Sequence, residues 1–545
     1  MVDGQPAMAQ AYLAMRYIPF LAVIALTVIS LGLGLARTLH FLWPLTVLVP
    51  LILVGIWDLT QRDHSLRRLY PISAHFRWFF EGLRPYLREY LFDNDHEGRP
   101  FSHNQRALVY KRSKGIEGVQ PFGTEMDLYS PRHEWINHSI QAAHHGEEHR
   151  ILVGGDQCAK PYAASVFNIS AMSFGSLSGR GIEALNLGAK MGGFYHNTGE
   201  GGVSSYHLRH GGDLVWQVGT GYFGCRADDG HFEPGKFADL AAHDAIKMIE
   251  IKISQGAKPG HGGLLPARKV TREIAEARGV PVWQDVLSPA AHSAFSTPVG
   301  LMEWIAQLRE LSGGKPIGFK LCVGHRWEFF ACTKAMLKTG ITPDYIVIDG
   351  AEGGTGAAPA ELSDHVGTPL REGLILAVNA LQGTKLRDRI RLAASGKIYD
   401  GHSLAANLSL GADWCNAGRP FMFSIGCVQT KKCHTDRCPT GIATQDKWRQ
   451  SGLAVSDKGP RAYQFHKNTV AALSQYVGAA GLNNPSELTP HHLRVRMDEN
   501  RVLSADHVYH FLPAGALLEA PDETIYRRWW SMADADSFAP RHIDA

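Results

Sequence analysis

Three closely spaced cysteines are the residues best suited to chemistry. Cys427, Cys433 and Cys438 form the pattern C-x5-C-x4-C, and Pro439 follows the third. The chain has only eight cysteines in 545 residues, too few for a disulfide scaffold, so three close thiolates favour a metal or an iron–sulfur cluster. Three ligands suit a 3Fe-4S cluster, and the alternative is a zinc site with His434 as the fourth ligand.

Two short loops have the composition of a phosphate site. Gly396-Lys397 and Gly418-Arg419 each follow an apolar run. Backbone N–H groups in such loops bind phosphate oxygens, and the two cationic side chains would add charge there. Lys320 lies within another apolar run, where it could stabilise negative charge on a reduced flavin or simply be a solvated strand end.

The elements that must position these residues begin at Val166. Short apolar runs alternate there with helix-length amphipathic stretches, and polar or glycine-rich residues follow the runs. This pattern predicts an α/β fold, a (β/α)8 TIM barrel with its site at the C-terminal strand ends, and a doubly wound parallel sheet is the competing architecture. The eight predicted strands are Val166–Met172, Phe194–Asn197, Ile246–Ser254, Val282–Leu287, Ile317–Cys322, Tyr345–Ile348, Ile390–Ala394 and Trp414–Ala417.

Two uncharged segments near the N-terminus are long enough to cross a membrane as helices. They are Tyr17–Ala36 and Phe41–Trp57, joined by Arg37–His40. A signal peptide and a buried core hairpin are the alternatives. Four arginines follow the second segment, which predicts a transmembrane hairpin with both ends in the cytoplasm: Arg62, Arg67, Arg68 and Arg77. We therefore expect the inner (cytoplasmic) membrane, with the catalytic domain facing the cytoplasm.

Four regions follow from these patterns. Residues 1–57 form the transmembrane hairpin, 58–160 a juxtamembrane helix and irregular covering segment, 161–455 the barrel with its cysteine loop, and 456–545 a helical C-terminal extension. Fifty-five basic against 52 acidic residues give a net charge of +3, too balanced for a surface that binds nucleic acid.

Several longer segments carry a resemblance to a known family. In chain order they are Ser170-Ala-Met-Ser-Phe-Gly-Ser, Asn197-Thr-Gly-Glu-Gly-Gly, Gln255-Gly-Ala-Lys-Pro-Gly-His-Gly-Gly-Leu-Leu-Pro, Gly350-Ala-Glu-Gly-Gly-Thr-Gly-Ala and Cys433-His-Thr-Asp-Arg-Cys-Pro-Thr-Gly-Ile-Ala-Thr-Gln. From about Val166 to Lys447 the chain resembles the FMN-binding synthase domain of glutamate synthase. In that family a 3Fe-4S cluster passes electrons to FMN, and the reduced flavin delivers a hydride to 2-iminoglutarate.

The resemblance implies a role for individual residues. Glu200 would be a catalytic acid–base group near the imine carbon, with Lys320 beside the flavin. The 2-oxoglutarate site would be formed by Gln255, Lys258 and Arg278. Without the resemblance, Lys258 would be interpreted as an ordinary loop lysine and Arg278 as a surface charge on a helix. The cysteine triplet would hold the cluster. FMN would be bound by Met172, Ser173, Gln217, Lys320, Gly353, Gly354, Gly396, Lys397, Gly418 and Arg419.

Some features depart from the family. The family's large enzymes begin with a glutaminase domain that uses an N-terminal cysteine, but here the first cysteine is Cys158. We therefore expect ammonia from solution or from a partner, or a different amine as the substrate. The family's Gly-Glu-Gly-Gly is Gly260-His-Gly-Gly here, and Trp216 stands where the family tends to carry lysine. Both departures bear on the identity of the substrate more than on the cofactors.

No convincing dinucleotide fingerprint is present, so the expected electron partner is a ferredoxin-like protein or a membrane carrier. Alternative functions are an amino-acid or amine dehydrogenase that feeds a membrane acceptor, and a non-catalytic electron-transfer or scaffold subunit.

Overall fold

The computed structural model describes residues 15–116, 118–143 and 149–542. By contact density the chain divides into two compact units, Met1–His103 and Asn104–Ala545.

The first unit is helical. Its two longest helices, α1 (Ile18–Ala36) and α2 (Leu45–Thr60), are joined through a 3-10 turn, Leu39–Leu42, and both are apolar enough to cross a membrane. The ring of Phe20 packs against Gly55, which brings the two helices together. Most of their apolar side chains are exposed, including Leu35 at 78%, which argues against a buried core hairpin. Two further helices follow, α3 (Ser65–Leu69) and α4 (Ala74–Leu87), and a π-helical turn at Arg88–Phe92.

The second unit is built on a closed barrel of eight parallel strands, which confirms the predicted TIM barrel and excludes a doubly wound sheet. Closure occurs where the last barrel strand pairs with the first. The barrel strands are β4 (Phe167–Ile169), β5 (His196–Asn197), β6 (Leu214–Val218), β7 (Ile246–Lys252), β10 (Ile317–Leu321), β11 (Tyr345–Asp349), β12 (Arg391–Ser395) and β13 (Trp414–Ala417). The other strands are β1 (Glu134–Ile136), β2 (Arg150–Val153), β3 (Tyr162–Ser165), β8 (Leu264–Leu265), β9 (Val286–Leu287), β14 (Leu493–Arg496) and β15 (Val502–Ser504).

One predicted strand is wrong. Val282–Leu287 is not in the barrel: only Val286–Leu287 is extended, as β9, and it pairs antiparallel with β8. Trp283 and Leu287 are 61% and 68% exposed, whereas a barrel strand is covered on both faces. The third barrel strand is instead β6, whose five residues are all buried. The prediction missed it because Gln217 interrupts its apolar run.

The barrel interior divides into an apolar part and a polar part. Buried apolar and aromatic side chains of the strands form one cluster with the β2–β3 hairpin: Val153, Ala164, Tyr195, Val215, Met248, Tyr345, Val347, Ala393 and Trp414. Side chains two residues apart on a strand point to the same face, so Met248, Glu250 and Lys252 of β7 all face inward. The interior therefore becomes charged toward the C-terminal ends of the strands.

Helices connect and cover the barrel strands. Within the described residues of this unit they are α5 (His103–Ser113), α6 (Gly179–Gly192), α7 (Ser205–Leu208), α8 (Pro234–Ala241), α9 (Arg272–Arg278), α10 (Pro298–Leu311), α11 (Arg326–Thr339), α12 (Ala360–His365), α13 (Leu370–Gly383), α14 (Gly401–Ser409), α15 (Arg419–Ser424), α16 (Lys447–Ser451), α17 (Val455–Ala479), α18 (Ala505–Val508), α19 (Ala516–Glu519) and α20 (Arg527–Met532). After α17, which packs on α6, the chain forms a small sheet in which β14 lies between β1 and β15.

Candidate active site

The C-terminal ends of the second and fourth barrel strands place a carboxylate against an ammonium. Glu200 lies in the loop after β5, and its Oε2 is 3.0 Å from Nζ of Lys252, the last residue of β7. Both side chains are shielded from solvent, at 21% and 9% exposure. Glycines make the approach possible, because a Cβ at Gly263 would lie 2.8 Å from Oε1 of Glu200. The pair is therefore held tightly by its surroundings.

Two further cations act on the same carboxylate. Lys258 is 2% exposed, and its Nζ donates to the Gly262 carbonyl at 2.8 Å. Arg278 is 5% exposed, and its Nη2 donates to the Phe174 carbonyl at 3.0 Å. This burial excludes the reading of either residue as an ordinary surface charge.

Local structure explains how Arg278 reaches the site. Thr271 caps α9 by accepting from the Ile274 N–H, and the helix ends at Gly279, whose φ of 63° is left-handed. Arg278 is thus the last residue of the helix, and its guanidinium lies 5.1 Å from the centre of the Phe223 ring. Its Nε is buried without a hydrogen-bond partner among the described residues. An unsatisfied cationic donor of this kind favours an anionic ligand.

The electrostatics follow from this packing. Burial alone would raise the pKa of Glu200, but Lys252, Arg278 and Lys258 together hold that pKa below its ordinary value. Burial lowers the pKa of Lys252 and of Lys258, and Glu200 opposes the shift in both. Burial also lowers the pKa of Arg278 to about 10. Three basic side chains thus surround one ionised carboxylate.

The depressed pKa of Glu200 predicts an acid response. A carboxyl whose folded pKa lies below its unfolded value stabilises the fold above the unfolded value, and that stability is lost as the pH falls through the folded pKa. We expect wild-type protein to exceed Glu200→Gln in thermal stability from neutral pH to about pH 4.5, the ordinary value, and the difference to shrink below it. Thermal unfolding of both proteins across this pH range measures the difference in stability. A difference already lost at about pH 6 would contradict a lowered pKa of Glu200.

A second charged group lies deeper in the barrel. Glu250 is 1% exposed and accepts from Nδ2 of Asn197 at 3.0 Å and from the side-chain amide of Gln217. Burial raises the pKa of Glu250, and Lys320 opposes the rise. Lys320 is 5% exposed, and its Nζ is 3.8 Å from Oδ2 of Asp349, so it is not a solvated strand end. The orientation of Gln217, a predicted flavin contact, is set by Glu250.

The predicted phosphate loops adjoin at the strand ends. Gly396-Lys397 follows β12 and Gly418 follows β13, and these two strands are paired neighbours. Lys397 has a φ of 51°, a conformation uncommon for residues other than glycine. A Cβ on Gly418 would lie 3.9 Å from the Met172 sulfur, so the loop after the first barrel strand is also adjacent.

Arg419 links these loops to a further predicted contact. Its Nη2 donates to the Thr355 carbonyl at 3.4 Å, and a Cβ on Gly354 would collide with its guanidinium. The neighbouring Gly353 donates to the Gly350 carbonyl at 2.9 Å, and a Cβ on Gly199 would lie 2.7 Å from the Ser173 nitrogen. Most of the predicted flavin contacts therefore fall in loops that meet around the barrel mouth.

The three cysteines lie in one loop region after α15. Burial raises the pKa of the Cys427 thiol to about 12, and the charges of Cys433 and Cys438 act in the same direction. Arg419 favours the thiolate form of both Cys427 and Cys433. Across residues 15–116, 118–143 and 149–542, no three His, Cys, Asp or Glu side chains are arranged to hold a metal ion. The donor chemistry, three thiols beside two cations (Arg419 and Lys269), nevertheless fits an iron–sulfur cluster.

Two site residues were missed by the sequence reasoning, Lys252 and Glu250. A signal for both was present in the alternation Met248-Ile-Glu-Ile-Lys, because alternate side chains share one face of a strand and the isoleucines suit the outer face that helices cover, which leaves the charged side chains to the interior. Gln255, which was predicted, lines the same cleft as Glu200, Lys252 and His261.

The fold and this charged mouth define a class, the TIM-barrel enzymes. Residues 132–483 match the family described as a conserved region in glutamate synthase. The chain is 34% identical over 508 residues to the glutamate synthase large subunit-like protein YerD of Bacillus subtilis (strain 168), covering 85% of this chain and 96% of that protein. It is 34% identical over 315 residues to the archaeal-type NADPH glutamate synthase of Thermotoga neapolitana, covering 58% of this chain and 59% of that relative.

Solved structures of two oxidases also align. The lactate oxidase of Pediococcus acidilactici has a TM-score of 0.42 and 12% identity, covering 73% of this chain and 94% of that one. Mandelate oxidase with (S)-2-phenylpropionate has a TM-score of 0.38 and 17% identity, covering 73% of this chain and 98% of that one.

The extent of the family match decides the identity: this chain belongs to the glutamate synthase family. It is an oxidoreductase that acts on CH–NH2 donors.

Proposed function

We propose that the protein is a membrane-anchored flavin and iron–sulfur oxidoreductase that reduces a 2-iminoglutarate-like intermediate to an amino acid. The observation that carries the proposal is the convergence of Lys252, Lys258 and Arg278 on Glu200 at the barrel mouth. A dicarboxylate needs cationic partners, and an imine reduction needs a group that holds or gives a proton. The site brings both into one charged group.

FMN is the cofactor we propose for this barrel, because the family implies it and the residues present fit it. When bound, FMN supplies hydride chemistry and a 3Fe-4S cluster supplies single electrons. Gly396, Lys397, Gly418 and Arg419 would hold the phosphate through backbone N–H groups and positive charge. Gln217 and Lys320 would contact the ring system, each oriented by a buried carboxylate, Glu250 or Asp349.

Substrate binding would rest on Arg278, Lys258 and Gln255. The Nε of Arg278, which has no hydrogen-bond partner in the described part of the chain, is a buried donor that a carboxylate would satisfy, and Lys258 supplies the second charge. Gln255 lines the cleft and can donate to the keto or imino end. These three contacts suit a substrate with a carboxylate at each end.

Glu200 would be the acid–base group. Because its pKa is depressed, it is a carboxylate at neutral pH and can accept a proton from incoming ammonium or stabilise an iminium. Lys252 holds the carboxylate in place through its 3.0 Å contact and shields it from water. The carboxylate is therefore positioned before the substrate enters.

The cluster assignment predicts the effect of removing a cysteine. Cys427→Ser, Cys433→Ser or Cys438→Ser is expected to remove the cluster, since each thiolate would be a ligand without a substitute. The flavin should remain at least partly bound, because its phosphate loops contain no cysteine. Iron and sulfide analysis of the purified variants measures this, with Cys158→Ser as the control. A full cluster in any of the first three variants would refute the assignment.

The membrane anchor predicts how the protein is extracted. Helices α1 and α2 expose far more apolar side chain than a peripheral protein can keep in water. We expect full-length protein to leave membranes only with detergent, and a chain lacking residues 1–57 to be released without it. Fractionation after high-salt and carbonate washes tests this. Release of the full-length protein by either wash would rule out a spanning hairpin.

A substrate assay on the detergent-purified, chemically reduced protein tests the proposed function. Flavin reoxidation should require both 2-oxoglutarate and ammonium and should yield glutamate. Pyruvate, which has a single carboxylate, should react roughly tenfold or more slowly, because one charge-assisted contact is lost. A rate of flavin reoxidation that does not depend on 2-oxoglutarate would overturn the proposal. Reduced ferredoxin and quinone analogues as partners would then separate synthesis from a dehydrogenase that feeds a membrane acceptor.

A further inference from the structure

Helix α4 carries an apolar face whose phenylalanines the described chain leaves largely exposed. Phe76, Phe79 and Phe80 are 61%, 62% and 57% exposed, and Leu83 and Leu87 share their face at helical spacing. Arg77, Glu81 and Arg84 flank this face on one side, where they border a groove with Phe80 and Leu87, and Glu81 pairs with Arg77 at 2.9 Å. A water-exposed face with three phenylalanines is unfavourable for a helix in solution. Some apolar phase is therefore expected to cover it.

The position of α4 is fixed relative to the end of α2. Asp58, near the end of α2, is fully buried, and its carboxylate accepts from the Ile72 N–H and from Nε2 of His75, both at 2.9 Å. His75 is the second residue of α4. Because Asp58 lies two residues before the end of the second apolar helix, these bonds hold the start of α4 at the level where that helix would leave the bilayer.

A second set of contacts strengthens this junction. The guanidinium of Arg67 lies 4.8 Å from the centre of the Trp78 ring, and His64 packs on the same ring at 6.1 Å. Trp78 projects from the side of α4 away from Phe76 and Phe79. The polar side of α4 is thus held by its own chain, and the apolar side is left outward.

We infer that α4 is an in-plane membrane helix whose phenylalanine face inserts into the boundary between lipid headgroups and acyl chains of the bilayer that α1 and α2 span. The inference rests on the proposed membrane hairpin. Arginines on the polar flank and phenylalanines on the other match an interfacial helix, with the arginine stems extending toward the headgroups. Tyr90, Leu91 and Phe92, at 56%, 69% and 76% exposure, extend the apolar surface beyond the helix.

Site-directed photocrosslinking of the full-length protein in phospholipid nanodiscs tests this. p-Benzoylphenylalanine would replace Phe79 on the apolar face, Glu81 on the polar face, or Val28 within α1, which is 65% exposed. We expect phospholipid adducts by mass spectrometry at positions 28 and 79, with at least about tenfold fewer at 81.

The outcomes separate this inference from the spanning hairpin. Lipid adducts at 28 but none at 79 would overturn the in-plane helix and leave the hairpin standing. Crosslinks from 79 to a second copy of the chain would also overturn it, in favour of a protein interface. Absence of lipid adducts at 28 and 79 would overturn both.

A second variant asks whether the apolar face drives insertion. With the crosslinker at Phe76, Phe79→Glu should reduce lipid adducts about tenfold, because a carboxylate at the boundary must be desolvated. Glu81→Gln, on the polar side, is the matched control and should leave them unchanged. Equal adducts in the two variants would contradict the inference, and adducts from a Val28 probe confirm that each variant is inserted.

Discussion

Glu200→Gln is expected to lower the turnover number about a hundredfold or more, while the KM for 2-oxoglutarate changes little. An amide keeps the shape of the side chain and can accept from Lys252, but it cannot take or give a proton at neutral pH. A positioned acid–base group contributes typically 10²–10⁴-fold to rate. Steady-state kinetics of glutamate formation with saturating ammonium measure the loss.

A matched variant distinguishes a loss of catalysis from a nonspecific effect of replacing a glutamate. Glu310→Gln, an exposed position on α10, should retain wild-type turnover. The flavin spectrum of Glu200→Gln should be that of the wild type, since Glu200 is not among the phosphate or ring contacts. Full turnover in Glu200→Gln would remove this residue from the mechanism. A rise in KM without loss of turnover would reassign it to binding.

The second large effect is expected at Arg278. A charge-assisted hydrogen bond contributes about 1.5–3 kcal/mol, so Arg278→Ala should weaken 2-oxoglutarate binding roughly ten- to hundredfold. Arg278→Lys should already bind more weakly, because an ammonium cannot reproduce the planar fork that can donate to the Phe174 carbonyl and to a substrate carboxylate together. Titration of 2-oxoglutarate against the flavin spectrum measures both variants.

The same helix offers the control for Arg278. Arg272, at the start of α9, is exposed, so Arg272→Ala removes an arginine from the helix without touching the cleft. It should bind 2-oxoglutarate as the wild type does. Thermal unfolding should accompany the titration, because Arg278 is buried and also contacts Phe223. If Arg278→Ala is folded and binds normally, the dicarboxylate site lies elsewhere.

Family motifs account for how much of the site could be predicted. Glu200, Gln255, Lys258 and Arg278 were identified by resemblance, and the structure brings Glu200, Lys258 and Arg278 into one charged group. Sequence spacing alone favoured the interpretation of Lys258 and Arg278 as solvent-exposed surface charges, because a charge in a loop or at a helix end is ordinarily solvated. Only their burial, at 2% and 5% exposure, excludes that reading.

The choice of barrel strands shows where prediction from the local sequence pattern failed. The number of strands was predicted, but Val282–Leu287 was taken as a strand in place of Leu214–Val218. An apolar hexapeptide and a barrel strand look alike in sequence, and burial on both faces is what distinguishes them. Val282–Leu287 has exposed side chains, so it lies outside the barrel.

The amino-acid sequence by itself determined the alternating strands and helices, the glycine loops, the cysteine spacing and the two long apolar segments. These are local properties, set by side-chain period, backbone freedom and hydropathy over a few neighbouring residues. Tertiary structure decided which strands close the barrel and that Lys252 meets Glu200, 52 positions earlier in the chain, at 3.0 Å. Such a contact depends on strand pairing between distant segments. The pKa of Glu200 is depressed only once the fold has brought Lys252, Arg278 and Lys258 around the carboxylate, because the removal of water alone would raise that pKa.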